Sequence, residues 1–509
     1  MTGSNGNGRG RPPSVGIVGA GFGGIGMGIR LKREGIEDFT IFERGQTVGG
    51  VWRANTYPGA ACDVPSHLYS FSFAPGHRWS RRYAPQTEIL DYLEECVDEF
   101  GLRPHLRLGT EAEAASFDEA TGRWTLSAGG EEHSFDVLVT ACGQLTNPAI
   151  PAIPGGEQFG GHAFHSAEWD HGHDLRGRRV AVIGTGASAI QFVPEIAPWV
   201  ESLTIYQRSA PWILPKADRE YPEWERALFR RLPARVAAAR LGNWMFFEAF
   251  TYAFTGTRWL VSAASRYADR ARHRELEDEP ELNALASPGY ELGCKRVLIS
   301  SDWYPTLRRE NVELVDGAVE RITRTGVIGA DGVERAADTI IWGTGFQSHD
   351  FVAPMEIRGV GGRELNEVWA ERPEAYLGVT VSGFPNLFVM YGPNTNHGSG
   401  SVPYTLECQF NYAIDAIRRI RAGGLAYIDV RPEVQARWRE EITARSQSTQ
   451  WITGGCTNWY VNGEGVNTNN WPGPWLEYHR RTKRINPGDY RAAVRPPAGR
   501  AEAAAPLRA

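Results

Sequence analysis

The chain has 509 residues, of which 42% are hydrophobic and 22% charged, and its net charge is −6. That length exceeds one hydrophobic core, and at roughly 100–200 residues per domain two to four domains are expected. The slightly acidic balance leaves no footprint for nucleic acid. The six scattered cysteines (Cys62, Cys96, Cys142, Cys294, Cys408 and Cys456) contain no C-x-x-C pair for a zinc site or a dithiol.

The chain opens on MTGSNGNGRGRPP, which is polar and lacks the apolar centre of a signal peptide. Residues 1–13 and 488–509 read as disordered tails. With scattered cysteines, the expectation is a cytoplasmic protein whose thiols are reduced.

The first structured unit reads VGIVGAGFGGIGMGIRLKREGIEDFTIFE. An apolar strand enters a turn with Gly19, Gly21 and Gly24 in G-x-G-x-x-G spacing, a helix follows, and a second strand ends in Glu43. Gly19 permits the tight turn, Gly21 lets backbone approach a pyrophosphate, and Gly24 lets helix pack on strand. An acid about 24 residues on suits a ribose 2′-hydroxyl.

Residues 159–170 read FGGHAFHSAEWD, with His162 and His165 followed by His171 and His173. By residue type alone this stretch fits a metal site, a catalytic site or a polar linker. The metal reading lacks regular ligand spacing and a cysteine partner. A second glycine-rich unit follows, RVAVIGTGASAIQFVPEIAPWVESLTIYQRS. Gly184 and Gly186 fill the first two glycine places, Ser188 precedes the helix, and Ala189 takes the third. Its second strand ends in Gln207-Arg208, with no acid, so Arg208 is free to pair with a 2′-phosphate and NADP is expected over NAD.

From about residue 215 to 290 the chain is helical in pattern. Its most apolar window starts at Trp244 but is interrupted by Glu248 and Arg258, which leaves it short of a ~20-residue membrane span. It reads as a buried aromatic-rich helix, with contact to a membrane surface as the alternative. A third apolar strand at 338–342 runs into GTGF, and FVMYGPN at 388–394 is another strand leading into a turn that ends in Asn394. The fold class expected is α/β, with two Rossmann-like dinucleotide-binding domains and a helical insertion. The first domain comprises 14–150 and 340–487. The second is inserted between them at 151–339 and carries a helical subdomain at 215–290.

Two longer patterns sharpen this. Phe159, Gly161, His165, Trp169 and Asp170 fill F-x-G-x-x-x-H-x-x-x-W-[P/D] between the glycine-rich units. Gly49, Gly50, Trp52, Tyr57, Pro58, Gly59 and Asp63 fill [A/G]-G-x-W-x-x-x-x-[F/Y]-P-G-x-x-x-D. With these, the chain resembles the class B flavoprotein monooxygenases, and within them the type I Baeyer–Villiger monooxygenases, from about Ser14 to Tyr478.

The resemblance implies FAD in the first domain and NADP in the second. It implies a reaction in which NADPH reduces the flavin, O2 gives a C4a-peroxyflavin, and a ketone becomes an ester or lactone. It makes the stretch at 159–170 a hinge in which His165 couples cofactor movement to catalysis. Gly50, Trp52 and Asp63 then lie at the flavin, and Asn394 closes a turn that meets the flavin ring. GCKRVLISSDWYPTL resembles the family's active-site segment and supplies Arg296 as the fixed cation, with Asp63 to orient it and Lys295 to join Arg208 at the 2′-phosphate. Trp459 matches a tryptophan on a loop that closes over NADP and substrate. The segment after it ends in NNWPGPW where family members commonly read like GANIPGK, which suggests an aromatic pocket wall. Trp244 and Phe247 are expected to wall the substrate channel and favour a bulky, apolar ketone. Oxygenation at sulfur or nitrogen is the close alternative, and a flavin-bound redox sensor the distant one.

Overall fold

The computed structural model describes residues 11–75, 79–255 and 257–495. In the first glycine-rich unit, β1 (Val15–Val18) leads into α1 (Phe22–Arg33) and β2 (Phe39–Glu43). Further on come β3 (Leu106–Leu108) and β4 (Val137–Thr140). The chain then crosses to a second sheet through β5 (His162–His165), β6 (Arg179–Ile183), α2 (Ala189–Ile196) and β7 (Ser202–Gln207). After the long helices α3 (Pro233–Phe254) and α4 (Arg258–Glu275) it completes that sheet with β8 (Val312–Asp316) and β9 (Thr339–Trp342). It returns to the first sheet as β10 (Leu387–Val389).

Both sheets have five strands, in the orders β10-β4-β1-β2-β3 and β8-β7-β6-β9-β5, and every pairing within them is parallel. The cause is visible in the strand sequences. VGIV, VLVT, RVAVI and TIIW are near-continuous apolar runs, which suit strands covered on both faces. α1 supplies one cover, burying Ile25, Met27, Ile29 and Leu31, and its last turn carries Arg30, Lys32 and Arg33 where the helix dipole favours cations.

The second sheet thus runs from His162 to Trp342, so its last strand extends past the boundary expected at 339. Outgoing and returning connections lie side by side. Ala149 N–H donates to Gly345 O and Gln347 N–H to Asn147 O, both at 2.9 Å, and Pro148 and Phe346 form an antiparallel bridge.

Three expectations are corrected. The tail expected from 488 begins with an ordered strand: β12 (Tyr490–Val494) pairs with β11 (Leu425–Val430). The buried Tyr490 anchors it, with its hydroxyl 2.6 Å from that of Tyr412 and 3.1 Å from Thr380 Oγ1. Residues 1–10 and 496–509 of the expected tails lie outside the described residues. Secondly, α3 is buried on one side only. Trp244 and Phe247 pack on the core, Phe247 stacking on Trp475, whereas Leu241, Met245 and Phe246 are each more than half exposed. No helix among the described residues is long and apolar enough to cross a membrane. Thirdly, the thiols are not all free, because Cys294 and Cys456 form a disulfide; Cys62, Cys96, Cys142 and Cys408 remain unpaired.

Candidate active site

The first glycine-rich turn is shaped by close backbone approach. A Cβ on Gly24 would lie 1.8 Å from Gly19 O, and one on Gly50 would lie 3.1 Å from Gly21 Cα. The Gly49-Gly50 pair of the second pattern therefore packs directly on the turn, tied by Gly49 N–H to Ala20 O at 2.9 Å. No side chain caps α1, so its first amides face the turn. At the end of β2, buried Glu43 accepts from Ala20 N–H at 2.9 Å, Gly45 N–H at 2.8 Å and Arg53 Nη2 at 3.2 Å. A fixed, buried carboxylate beside an uncapped helix start fits the adenosine end of a dinucleotide.

The loop that follows reaches the second unit. Trp52 Nε1–H donates to Tyr69 Oη at 3.3 Å, and the Trp52 carbonyl accepts from Gln86. The Tyr57 hydroxyl donates to Gln191 Oε1 on α2 at 3.0 Å, and Gln191 Nε2 donates to Ala61 O at 3.0 Å. Burial pushes the Tyr57 phenol up to about 12, with the Ser188 hydroxyl pulling the other way. Gly184 (φ +106°) repeats the tight approach, since a Cβ there would lie 2.4 Å from Gly343 O. Gly186 and Ser188 follow it, and Ala189 is fully buried at the start of α2.

Beyond β7 the electrostatics turn positive. Arg208 is exposed and makes no ion pair among the described residues, and Lys295 Nζ donates to Ser209 Oγ. Burial, then the nearby Arg208, hold the Lys295 ammonium below its usual pKa. Both cations line a cavity of about 980 Å³. Neither cation makes an ion pair among the described residues, although Glu281 and Asp316 also line the cavity, and two cations on one wall fit a 2′-phosphate.

One residue beyond Lys295, Arg296 donates to Asp63 Oδ2 through Nη2 at 2.6 Å and Nε at 3.1 Å. Their side chains keep 31% and 27% of their surface, although Arg296 lies deep in the molecule. That surface therefore opens on an internal cleft. Asp63 raises the Arg296 pKa and outweighs the burial that lowers it. Sequence reasoning missed two neighbours. The phenols of Tyr391 and Tyr460 are pushed up by burial, and Arg296 pulls both back. Tyr391 has a left-handed backbone (φ +57°), a local sign of constraint that sequence does not carry.

The remaining expected residues divide. The Trp459 carbonyl accepts from Ser348 Oγ at 3.1 Å and Asn469 Nδ2 at 3.0 Å, which docks its loop on the first domain. His165 is fully buried where both crossings meet, opposite Trp342 in register and edge-on to Phe346 at 5.6 Å. Its Nδ1 accepts from Ala167 N–H at 3.1 Å, and burial lowers its pKa, so it is neutral. The neighbouring histidines have local partners: His162 Nε2 lies 2.9 Å from Asp170 Oδ2, His173 Nε2 2.8 Å from Thr339 Oγ1, and His171 Nε2 2.8 Å from Thr56 Oγ1. Asn394 has a bracing task, with Nδ2 donating to Asn467 O at 2.9 Å. Trp471 and Trp475 of NNWPGPW are fully buried in the core, so they do not form the pocket wall that the sequence suggested.

Comparison with known proteins agrees with this geometry. The model of the flavin-binding monooxygenase-like family matches residues 13–282. A Streptomyces coelicolor protein named Baeyer–Villiger monooxygenase is 44% identical over 485 residues, covering 95% of this chain and 93% of the relative. The chain belongs to the flavin-binding monooxygenases, among their Baeyer–Villiger members. A solved structure of an oxidised steroid monooxygenase bound to NADP superposes with a TM-score of 0.83 at 32% identity, covering 94% of this chain and 99% of that one. A second, of OTEMO in complex with FAD and NADP, gives 0.85 at 25% identity, with coverages of 94% and 99%. As in this family, the cofactors are FAD and NADP, and the two-sheet α/β fold is the one that holds both.

Proposed function

We propose that this protein oxygenates a ketone to an ester or lactone in the cytoplasm, using NADPH and O2, with the Arg296–Asp63 pair at its reacting centre. FAD supplies the oxygen-activating chemistry when bound. The chain's own contribution is positional and electrostatic. Arg296 holds a permanent positive charge toward the cleft, and Asp63 fixes the plane of the guanidinium so that a free donor edge meets the negative charge developing on a carbonyl oxygen. Gly19, Gly21, Gly24, Glu43, Gly50 and Trp52 hold the first dinucleotide, while Gly184, Gly186, Ser188, Ala189, Arg208 and Lys295 hold the second. Trp459 closes the cleft against water. His165 acts at the crossing between domains, away from the reacting atoms.

The observation that carries this reading is the Arg296–Asp63 pair, one residue from a lysine that lines the cavity beyond β7. A bulky, apolar ketone is the substrate class we favour. The relative named for a steroid points the same way.

The test is a panel of cyclic and open-chain ketones with FAD, NADPH and O2, the products read by mass spectrometry. One oxygen gained per NADPH consumed, at the position next to the carbonyl, is the expected result. Oxygenation confined to sulfides and amines would move the reaction to the heteroatom class. NADPH loss with hydrogen peroxide alone, across the panel, would move it toward an oxidase or sensor.

A further inference from the structure

The sequence offered no reason to pair Cys294 with Cys456, which lie 162 residues apart. Their places in the fold do. Cys294 immediately precedes Lys295 and Arg296, and Cys456 precedes Trp459 and Tyr460 by three and four positions. The bond therefore joins the segment bearing the site's two half-buried cations, Lys295 and Arg296, to the loop bearing its closing aromatics. Both segments are irregular, and the backbone contributes one hydrogen bond between them among the described residues, from Glu291 N–H to Gly454 O at 3.0 Å. Asn458 Nδ2 sits 3.9 and 3.8 Å from the two sulfurs while donating to Trp451 O at 2.8 Å, and Asn458 Oδ1 accepts from Tyr460 N–H at 3.0 Å. Thus the turn leading to Tyr460 is built around the disulfide.

The same bond borders the nucleotide cavity. Cys456 and its neighbours Gly455 and Thr457 line it together with Arg208, Ser209 and Lys295. Cys294 is fully buried, whereas Cys456 is half-buried and reachable from the cavity. The two segments also share an apolar cluster, with Leu292 beside Trp451 and Tyr460, and the disulfide adds the one covalent tie between the Lys295 segment and the loop opposite among the described residues.

We propose that the Cys294–Cys456 disulfide is a positioning clamp for NADPH, and that its reversible reduction by a dithiol loosens the grip on the nucleotide. This rests on the reading of Arg208 and Lys295 as the 2′-phosphate cradle. In the chemical step a thiolate of the dithiol attacks Sγ of Cys456, the Sγ–Sγ bond breaks, and Cys294 leaves as a thiolate that takes a proton. The second thiol of the reductant then displaces Cys456, which is protonated in turn. Two electrons pass from the dithiol, which becomes a cyclic disulfide, to the two cysteines. A disulfide in a compartment with reducing thiols is typically of this switching kind.

The test compares the air-oxidised FAD-loaded enzyme with the same preparation treated with dithiothreitol and freed of it. Thiol alkylation after denaturation, read by mass spectrometry, should find Cys294 and Cys456 protected before treatment and both labelled after it. The KM for NADPH should rise by about tenfold on reduction, with kcat at saturating NADPH and flavin content nearly unchanged, because a pre-set binding geometry is lost. Reoxidation should restore it. Cys294→Ser/Cys456→Ser should show the raised KM from the outset and ignore dithiothreitol. Labelling of both cysteines in the oxidised enzyme, or an unchanged KM after their reduction, overturns the clamp even if the variant fails to fold. Arg208→Ala separates the two readings. If it raises the KM for NADPH and reduction does not, the clamp fails and the cradle stands. If neither raises it, the cradle itself is misplaced.

Discussion

Arg296 and Asp63, 233 residues apart in sequence, are joined by two hydrogen bonds from one guanidinium edge to a single carboxylate oxygen. Both bonds use the same side of the Arg296 fork, so its remaining N–H groups are available to a ligand in the cleft. Arg296→Ala is expected to cut ester formation by about 10²- to 10³-fold, the usual loss for a donor that meets developing charge. NADPH oxidation should persist and release hydrogen peroxide. Asp63→Asn keeps Arg296 but frees its plane, and a loss of about tenfold to a hundredfold is expected. The ratio of ester formed to NADPH consumed measures both. Asp63 raises the Arg296 pKa, so Arg296 stays charged at any working pH and sets no alkaline limit.

An alkaline limit is expected elsewhere, at Lys295. Burial and Arg208 hold its pKa below the ordinary value of 10.5, so it loses its charge first as pH rises. The KM for NADPH should increase on the alkaline side while kcat at saturation holds. Arg208→Ala should raise the KM for NADPH by about tenfold to a hundredfold and leave that for NADH nearly unchanged, as losing a charged phosphate partner implies. Steady-state kinetics with both nucleotides decide it.

The glycine turns were legible in the sequence and the cleft was not, for a physical reason. Gly19, Gly21, Gly24 and Gly184 obey backbone constraints that act within a few residues, so spacing alone reveals them. Arg208 and Glu43 sit at fixed offsets from those glycines. The Arg296–Asp63 contact has no such offset, and only resemblance to a family brought the two residues together. Tyr391, Tyr460 and the Cys294–Cys456 bond carried no local signal. For α3, hydropathy gave the apolar content correctly, but not that Leu241, Met245 and Phe246 would face outward.

Gly24→Val should leave the enzyme largely without flavin. Its Cβ would need to occupy space 1.8 Å from Gly19 O, and backbone on both sides cannot yield. A cost of a few kcal/mol corresponds to a loss of about tenfold or more in FAD retained. The visible flavin absorbance relative to protein absorbance measures this. Intact far-ultraviolet circular dichroism would separate it from loss of the whole fold.

Acid should destabilise the fold before most carboxylates are protonated. Burial holds His165 below its ordinary pKa and His397 down to about 3, so the native state keeps both neutral. Unfolding lets them take protons below their ordinary value of about 6.5. The unfolded chain therefore binds more protons, and stability falls as pH drops from about 6.5 toward about 3. Tm should decline across that window. His397→Gln, which lowers Tm at pH 7 by losing the Thr405 contact at 2.9 Å, should make the decline shallower.

Trp459→Ala should uncouple the enzyme. The Ser348 and Asn469 bonds to its backbone carbonyl survive, so the loop still docks but leaves a gap where the indole stood. NADPH consumption should stay within about threefold while the yield of ester per NADPH drops by about tenfold, the mark of a lid that no longer excludes water. Parallel assays of peroxide and ester separate this from a simple loss of binding.

The paired crossings at 147–149 and 345–347 bear on motion. Two attachments laced together by hydrogen bonds give the inserted domain an axis like the two pins of a door, and the Cys294–Cys456 bond, a third covalent link between the same two domains, limits the swing about that axis until it is reduced. Cutting one crossing would leave the other, together with the Cys294–Cys456 bond, as tethers but remove the axis. A single proteolytic nick near residue 149 should therefore leave both domains folded and associated, each still able to bind its own nucleotide, yet abolish the hand-over of electrons between them.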